Sequence, residues 1–335
     1  MSPIRNLRAI RIAGAFALLQ VILVSTLNVS FAASAPATGP TLSQLISYVD
    51  ASSQLKIGPN VSTSLPTLTA AANNGTSGMI PPACISFTAA TKPLPSDAGK
   101  TCAFGDTAAT RTIFLFGDSQ ASMWLPAFNI AGTILHWKIV FVAKDGCGPW
   151  ISPVTSSEGS SACNQWVRGE IALENQLKPQ VVVPVGLTLA TLSNNQYPTT
   201  NQFVSEVQQM VQGIEPSHAK ILLLQEIPQF YSYFTSATPQ SCLTVHSSSI
   251  KNCELTVKQI KTIETTVGLN AVAVINHLET VPTRELFCGK MRCDVFVNSP
   301  HETHLVYQDW AHMNATYSAW IGPATAQLLA KYLSS

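Results

Sequence analysis

The feature that most restricts this chain is a rhythm that begins after Arg111. Short apolar runs rich in β-branched residues alternate there with amphipathic stretches long enough for helices. The runs are Thr112–Phe116, Lys138–Ala143, Gln180–Val185, Lys220–Gln225 and Ala271–Asn276. Helices are predicted between them at Ala121–His136, Asn164–Leu177, Asn201–Gly213 and Glu254–Val267, with a last one over Asn314–Tyr332. A strand that is apolar along its whole length must be covered on both faces, and parallel neighbours need crossover connections. The expectation is therefore a three-layer α/β domain over residues 111–335 with a central parallel sheet. Residues 33–110, rich in Ala, Ser, Thr, Pro and Asn, are expected to form an N-terminal arm. One helix is predicted in it, at Leu42–Leu55, with Leu42, Leu45, Ile46 and Val49 on one face. The loops Gly186–Thr200 and Pro228–Asn252 are long enough to shape a cleft.

Composition closes off other classes. Hydrophobic residues make up 46% and charged residues 11%, against about 25% charged in an average soluble protein, so neither a disordered nor a coiled-coil chain fits. Lys and Arg total 19 and Asp and Glu 18, with no basic cluster. The electrostatic footprint of a nucleic-acid binder is missing.

The N-terminus reads as an address. Arg5, Arg8 and Arg11 precede the apolar stretch Ile12–Leu27, which ends in a small, polar run. That is the layout of a secretory signal peptide, residues 1–32, with cleavage expected after Ala32 because Ser30 and Ala32 then occupy the small-residue positions. The alternative is an uncleaved membrane anchor. The eight cysteines, Cys84, Cys102, Cys147, Cys163, Cys242, Cys253, Cys288 and Cys293, all follow this segment. An even count suits disulfides in an oxidising compartment. They fall into local pairs, and short loops are the easiest to close, so Cys84 with Cys102, Cys147 with Cys163, Cys242 with Cys253 and Cys288 with Cys293 are expected. No Cys-x-x-Cys spacing supports zinc. No metal or other cofactor is expected.

In open α/β sheets, ligands gather beyond the carboxyl ends of the strands. The first such turn is Gly117-Asp118-Ser119, between an apolar strand and a helix. Ser119 at that place presents its hydroxyl beside the first amides of the helix, which can stabilise an oxyanion. Serine needs a base to become a good nucleophile. Asp309-Trp310-Ala311-His312, just before the last helix, supplies one: an Asp three residues before a His can accept its Nδ1 proton and leave Nε2 for the serine. Taken singly, Gly-Asp-Ser is a common turn and Asp-x-x-His a common helix start. Together they form a Ser-His-Asp set.

The runs TIFLFGDSQASMWLPAF (Thr112–Phe128) and VYQDWAHMNATYSAWIGP (Val306–Pro323) resemble the SGNH (GDSL-type) hydrolase superfamily. The similarity is greatest to the extracytoplasmic SGNH domain associated with bacterial acyltransferase 3 O-acyltransferases. Cys102-Ala103-Phe104-Gly105-Asp106, Trp124-Leu125-Pro126-Ala127, Gly146-Cys147-Gly148-Pro149 and the later close cysteine pairs fit that branch. The resemblance implies a flavodoxin-like sheet of about five parallel strands. It also implies Ser119 as nucleophile, His312 as base, Asp309 as its orienter, and the N–H groups of Ser119 and Gly146 as oxyanion donors. It departs in three ways. Where many relatives carry an oxyanion Asn after the third strand, this chain reads Pro184-Val185-Gly186-Leu187-Thr188. Losing one such donor costs about 2.7–4 kcal/mol of transition-state stabilisation. Gln120 stands where relatives often have His. No multi-span acyltransferase segment occurs in this chain, so a membrane acyl donor, an acyltransferase 3 protein, is expected to be a separate partner.

The resemblance implies an exported serine esterase or O-acyltransferase acting on acyl esters, acetyl foremost, of a cell-surface or extracellular glycan through an acyl-serine intermediate. The rival reading is a catalytically weak or inactive glycan-binding accessory module, motivated by the absent Asn. His301-Glu302-Thr303-His304 reads as loop histidines, since two histidines without further ligands do not make a metal site. Trp166 and Trp320 read as core, and Trp310 is open. Asn60, Asn74 and Asn314 match the N-glycosylation pattern.

Overall fold

A computed structural model describes residues 38–57, 75–86, 94–151, 160–186, 199–230, 239–246, 248–249, 252–261, 270, 273–274, 278–309 and 311–334. The segment 1–32 expected to be a signal, Trp310, Asn60, Asn74 and, in the two long loops, residues 187–198, 231–238, 247, 250 and 251 lie outside the described residues. The strands, in chain order, are β1 (Ile85–Ser86), β2 (Ala103–Gly105), β3 (Thr112–Gly117), β4 (Lys138–Lys144), β5 (Val181–Val185), β6 (Lys220–Leu224), β7 (Leu255–Thr256), β8 (Glu279–Val281), β9 (Arg292–Cys293), β10 (Phe296–Asn298) and β11 (Thr303–Leu305). The helices used below are α1 (Leu42–Ser52), α2 (Ser119–Leu135), α3 (Ser160–Leu177), α4 (Thr200–Ile214), α5 (Ala315–Trp320) and α6 (Gly322–Leu333).

The main sheet runs β1-β4-β3-β5-β6-β8, and β2 also pairs with β4. Its other five strands, β4-β3-β5-β6-β8, follow the order second, first, third, fourth, fifth along the chain and are all parallel. That is the doubly wound, flavodoxin-like order, and its reversal point lies between β3 and β5. The apolar runs explain the burial: Phe114, Leu115, Phe116, Val142, Val182, Val183, Leu222 and Leu223 expose 0% of their surface. α2 packs with α5 and α6, and α3 packs with α4 and against β3 and β4, so the sheet is covered on both faces, as continuous apolar strands require.

The expected parallel sheet is present, and β1 (parallel) and β2 (antiparallel), both from the segment expected to form an arm, extend it on β4 to seven strands among the described residues. Three expectations need correction. The run Ala271–Asn276 is not the last parallel strand: Ala273 and Val274 are helical, and Val274 is 76% exposed, whereas the strand at Glu279–Val281 is fixed by pairing with Leu222–Leu224. The helix expected from Glu254 starts later, at Val257, because Leu255–Thr256 pair with β9. The last helix is split at Ile321, where the backbone leaves the helical region and Pro323 opens α6.

Helix starts follow their caps. Thr41 with Gln44 and Thr199 with Gln202 form reciprocal capping boxes for α1 and α4. Disulfides join Cys84 to Cys102, Cys147 to Cys163, Cys242 to Cys253 and Cys288 to Cys293, each to its neighbour in sequence. Among the described residues no helix is long and apolar enough to cross a membrane.

Candidate active site

The site begins where β3 ends. Gly117 is paired with Ala143 on one side and Val185 on the other, and its φ is +145°, a region open to glycine. A Cβ there would lie 1.8 Å from the Val185 carbonyl oxygen. The chain then turns through Asp118, whose side chain accepts the Gln120 N–H at 2.8 Å and so caps α2. Ser119 is the first residue of that helix. Its backbone is placed by sheet register and by the start of the helix.

The second part lies between β11 and α5. Tyr307 and Met313 form an antiparallel bridge, the Gln308 N–H donates to the His312 carbonyl at 2.8 Å, and the Asn314 N–H donates to the Val306 carbonyl at 2.9 Å. Inside this loop, Asp309 Oδ1 accepts the N–H groups of Ala311 and His312, both at 2.8 Å. The same carboxylate faces the imidazole: His312 Nδ1 lies 2.8 Å from Oδ2 and 3.0 Å from Oδ1. His312 Nε2 lies 2.7 Å from Ser119 Oγ. Since a carboxylate can only accept, the Nδ1 position carries the proton and Nε2 is left as the acceptor for the serine hydroxyl. The three residues named from sequence are thus brought into one hydrogen-bonded line, although the serine and histidine are 193 positions apart.

The electrostatics follow from burial and from that contact. Burial pushes the Asp309 carboxyl up, but the hydrogen bond and charge of His312 and the two backbone N–H groups outweigh it and hold the carboxyl below its usual range. Burial pulls the His312 imidazole down, and Asp309, with the charges of Asp118 and Asp145, more than reverses this, so it titrates above its usual value. Gly146, in the loop after β4, is exposed with φ +71°.

Sequence singled out Gln120 only as standing where relatives often have His, and gave no signal for Glu170; both have a part in this geometry. Gln120 is 1% exposed and its Nε2 donates to the Ala311 carbonyl at 3.2 Å, tying α2 to the loop of Asp309 and His312. Glu170 of α3 exposes 0% of its surface and lies against the turn. Burial pushes its carboxyl well up, the Trp166 indole opposes this, the Asp118 charge adds to it and the Gly117 N–H opposes it. An acid on an amphipathic helix is ordinarily read as a solvent-facing residue, so Glu170 is legible only once the turn above it is known.

Other candidates resolve into structure. His304 stacks on Trp320 at 3.7 Å between centroids, with Glu302 at 3.4 Å, and no group of ligands that could hold a metal occurs among the described residues. Trp124 and Trp166 are buried, and Trp320 is packed against Tyr48 as well as His304. Asn314 exposes 0% of its surface and caps α5 through the Thr316 N–H at 3.0 Å, so its side chain is closed to a glycan.

The doubly wound sheet, with a serine at the first strand-to-helix turn and an Asp-x-x-His loop before the last helices, defines the architecture of the SGNH hydrolases. Residues 84–327 match the model of the SGNH domain fused to AT3 domains, well over half of the chain. The chain belongs to that family, and the match includes β1 and β2. None of the curated proteins matches in sequence. Among solved structures, the periplasmic domain of a lipopolysaccharide acetyltransferase from Salmonella ser. Paratyphi A is similar with a TM-score of 0.54 at 12% identity, over 82% of this chain and 98% of that one. It shares the fold. A GDSL-like lipase from Bacteroides thetaiotaomicron aligns over 82% of this chain and 98% of its own, with a TM-score of 0.36 and 10% identity. A family 2 carbohydrate esterase with a carbohydrate-binding domain from Corynascus thermopiles (Myceliophthora fergusii) aligns over 68% of each chain, with a TM-score of 0.36 and 16% identity.

Proposed function

We propose that the protein is an exported serine esterase or O-acyltransferase that removes or transfers acyl groups, acetyl foremost, carried as esters on a cell-surface or extracellular glycan. The observation that carries this reading is the 2.7 Å contact between Ser119 Oγ and His312 Nε2, with Asp309 on the opposite ring nitrogen. As Oγ attacks the acyl carbonyl, Nε2 takes its proton and Asp309 stabilises the imidazolium that forms. The Ser119 and Gly146 N–H groups receive the developing oxyanion. His312 then returns the proton to the departing sugar oxygen, leaving an acyl-serine. Water or a second sugar hydroxyl, deprotonated by the same imidazole, completes hydrolysis or transfer.

The disulfides support an oxidising compartment, and export by a signal cleaved after Ala32 fits it. A separate acyltransferase 3 protein in the membrane would then supply acyl groups, in keeping with the fusion that names the family. The test is a fluorophosphonate probe together with an aryl acetate and acetylated glycans. Wild type should be labelled and should turn over. Ser119→Ala should lose labelling entirely at an unchanged thermal midpoint, and His312→Ala should lose nearly all turnover. A folded wild type that takes no label favours the accessory-module reading instead.

A further inference from the structure

The loop that carries Gly146 is fastened at several points. The Cys147 N–H closes a turn on the Lys144 carbonyl at 3.0 Å. A Cβ on Gly186, at the end of β5, would lie 2.2 Å from Pro149 Cδ and 3.0 Å from Gly148 Cα, so strand end and loop are in direct contact. Trp150 is 6% exposed and meets Phe203 of α4 edge-on at 5.4 Å between centroids. The remaining fastening is covalent: Cys147, next to Gly146, is bonded to Cys163 near the start of α3.

The same helix reaches the nucleophile turn. Glu170 lies two turns beyond Cys163, on the same face of α3, and is fully buried against Gly117 and Asp118. α3 is thereby joined to both places from which the proposed oxyanion donors come. At Cys163 it holds the neighbour of Gly146, and at Glu170 it underlies the residues that set the Ser119 N–H.

We propose that the Cys147–Cys163 disulfide is a positioning element of the reaction, fixing the Gly146 N–H relative to the Ser119 N–H so that both point at one developing oxyanion. This rests on the serine-hydrolase reading above. The Pro149 contact lies against Gly186, beside the segment where many relatives carry their oxyanion Asn. The hole therefore depends on the backbone donor of a short loop, and a backbone donor is only as well placed as the loop that bears it. A displacement of about 1 Å in such a group costs on the order of 10²-fold in rate.

The experiment compares Cys147→Ser/Cys163→Ser with Cys242→Ser/Cys253→Ser, whose cysteines lie outside the loops of Ser119, Gly146, Asp309 and His312. Both should lower the thermal midpoint. The first pair should lower kcat by about 10- to 100-fold, with KM changed by less than about twofold and the acid limb of the pH profile unmoved. Its affinity for an aryl boronate, which places an anionic oxygen where the oxyanion forms, should fall by the same factor. The second pair should keep wild-type kcat. Wild-type kcat in the first pair, a kcat loss without loss of boronate affinity, or an equal loss in both pairs overturns the proposal. If the first pair does not fold, graded thiol reduction of folded wild type, with alkylation and peptide mapping, decides the matter. Turnover must then track opening of Cys147–Cys163, and turnover that survives that opening overturns the idea. A wild type that neither labels with fluorophosphonate nor turns over removes the serine reading and the proposal with it; labelling that persists while the disulfide proves inert removes the proposal alone.

Discussion

The turn that carries Ser119 and the loop that carries Asp309 and His312 meet at 2.7 Å, yet different forces hold them. The turn is the end of a strand paired on both sides, followed at once by a capped helix. Its position is set by sheet register and a buried core, and Ser119 contributes little to it. The loop belongs to none of the strands of the main sheet. Its shape comes from backbone bridges and from one carboxylate that folds the loop through two N–H groups and orients the ring as well. Ser119 can therefore be replaced without harm to its support, whereas Asp309 is part of the support of His312.

The largest effect expected from this difference is at Asp309. Asp309→Asn keeps an oxygen for the Ala311 and His312 N–H groups, so the loop and thermal midpoint should survive. It loses the negative charge and offers an amide to the ring nitrogen. The same change lowered kcat about 10⁴-fold in a serine protease, and a loss of about 10³-fold is expected here, because the Asp118 and Asp145 charges remain near the ring. With His312 as the proposed base, activity requires neutral imidazole and should rise with pH through the His312 pKa. Wild type should show its acid limb above the usual histidine range, because that pKa is raised. Removing Asp309 takes away its hydrogen bond and charge and leaves burial as the largest influence, so the limb of the Asn variant should move to lower pH. Asp309→Ala should in addition lower the thermal midpoint. A pH-rate profile on one activated ester, with thermal melts of both variants, checks the set. An unmoved acid limb in the Asn variant would sink the assignment of His312 as the base.

Gly117→Ala attacks the sheet-held side. The residue must keep φ near +145° while its Cβ meets the Val185 carbonyl at 1.8 Å. The backbone region alone costs about 1–3 kcal/mol for a non-glycine residue, and the overlap forces β5 or the turn to move. The expected outcome is a lower denaturation midpoint together with a kcat loss on the order of 10²-fold, since Ser119 and its N–H move with the turn. Urea melts and kinetics on the same preparation decide it. A variant with normal stability and normal kcat would show that the turn is not register-held.

This contrast also marks what could be read from sequence. The apolar runs that become β3 to β6 are buried on both faces, so their own composition identifies them, and the serine at the end of the first run came with them. Asp309 and His312 were legible because their contact is local, three residues apart. By contrast, β1 and β2 are two and three residues long and exist through pairing with β4, so nothing in their own pattern announces a strand. Ala271–Asn276 looked like a strand because apolar content alone does not reveal burial, and Val274 turns out exposed. Gln120, legible only as a replacement for His, and Glu170, which had no signal, act across the fold, on Ala311 and on the Gly117–Ser119 turn, and no spacing rule reaches that far.

The smallest effect expected is at Asn314, and it tests whether the base loop stands by its own bonds or leans on the helix behind it. Its side chain caps α5 by accepting the Thr316 N–H at 3.0 Å and the Thr316 hydroxyl at 2.6 Å, and its own N–H closes the loop on Val306. Asn314→Ala keeps the backbone bond and deletes the cap, which costs about 1 kcal/mol. The thermal midpoint should fall by about 2–4 °C. Even if that whole energy were felt at His312, the loss in kcat would stay below about tenfold, because 1.4 kcal/mol corresponds to a factor of ten. Asn314→Asp, which retains the acceptor, should recover most of the midpoint. Melting curves and kcat for the two variants provide the check. A large fall in kcat with an almost unchanged midpoint would mean that the loop is positioned by the Asn314 side chain rather than by Asp309 and the backbone bridges, and the contrast between the two halves of the site would have to be redrawn.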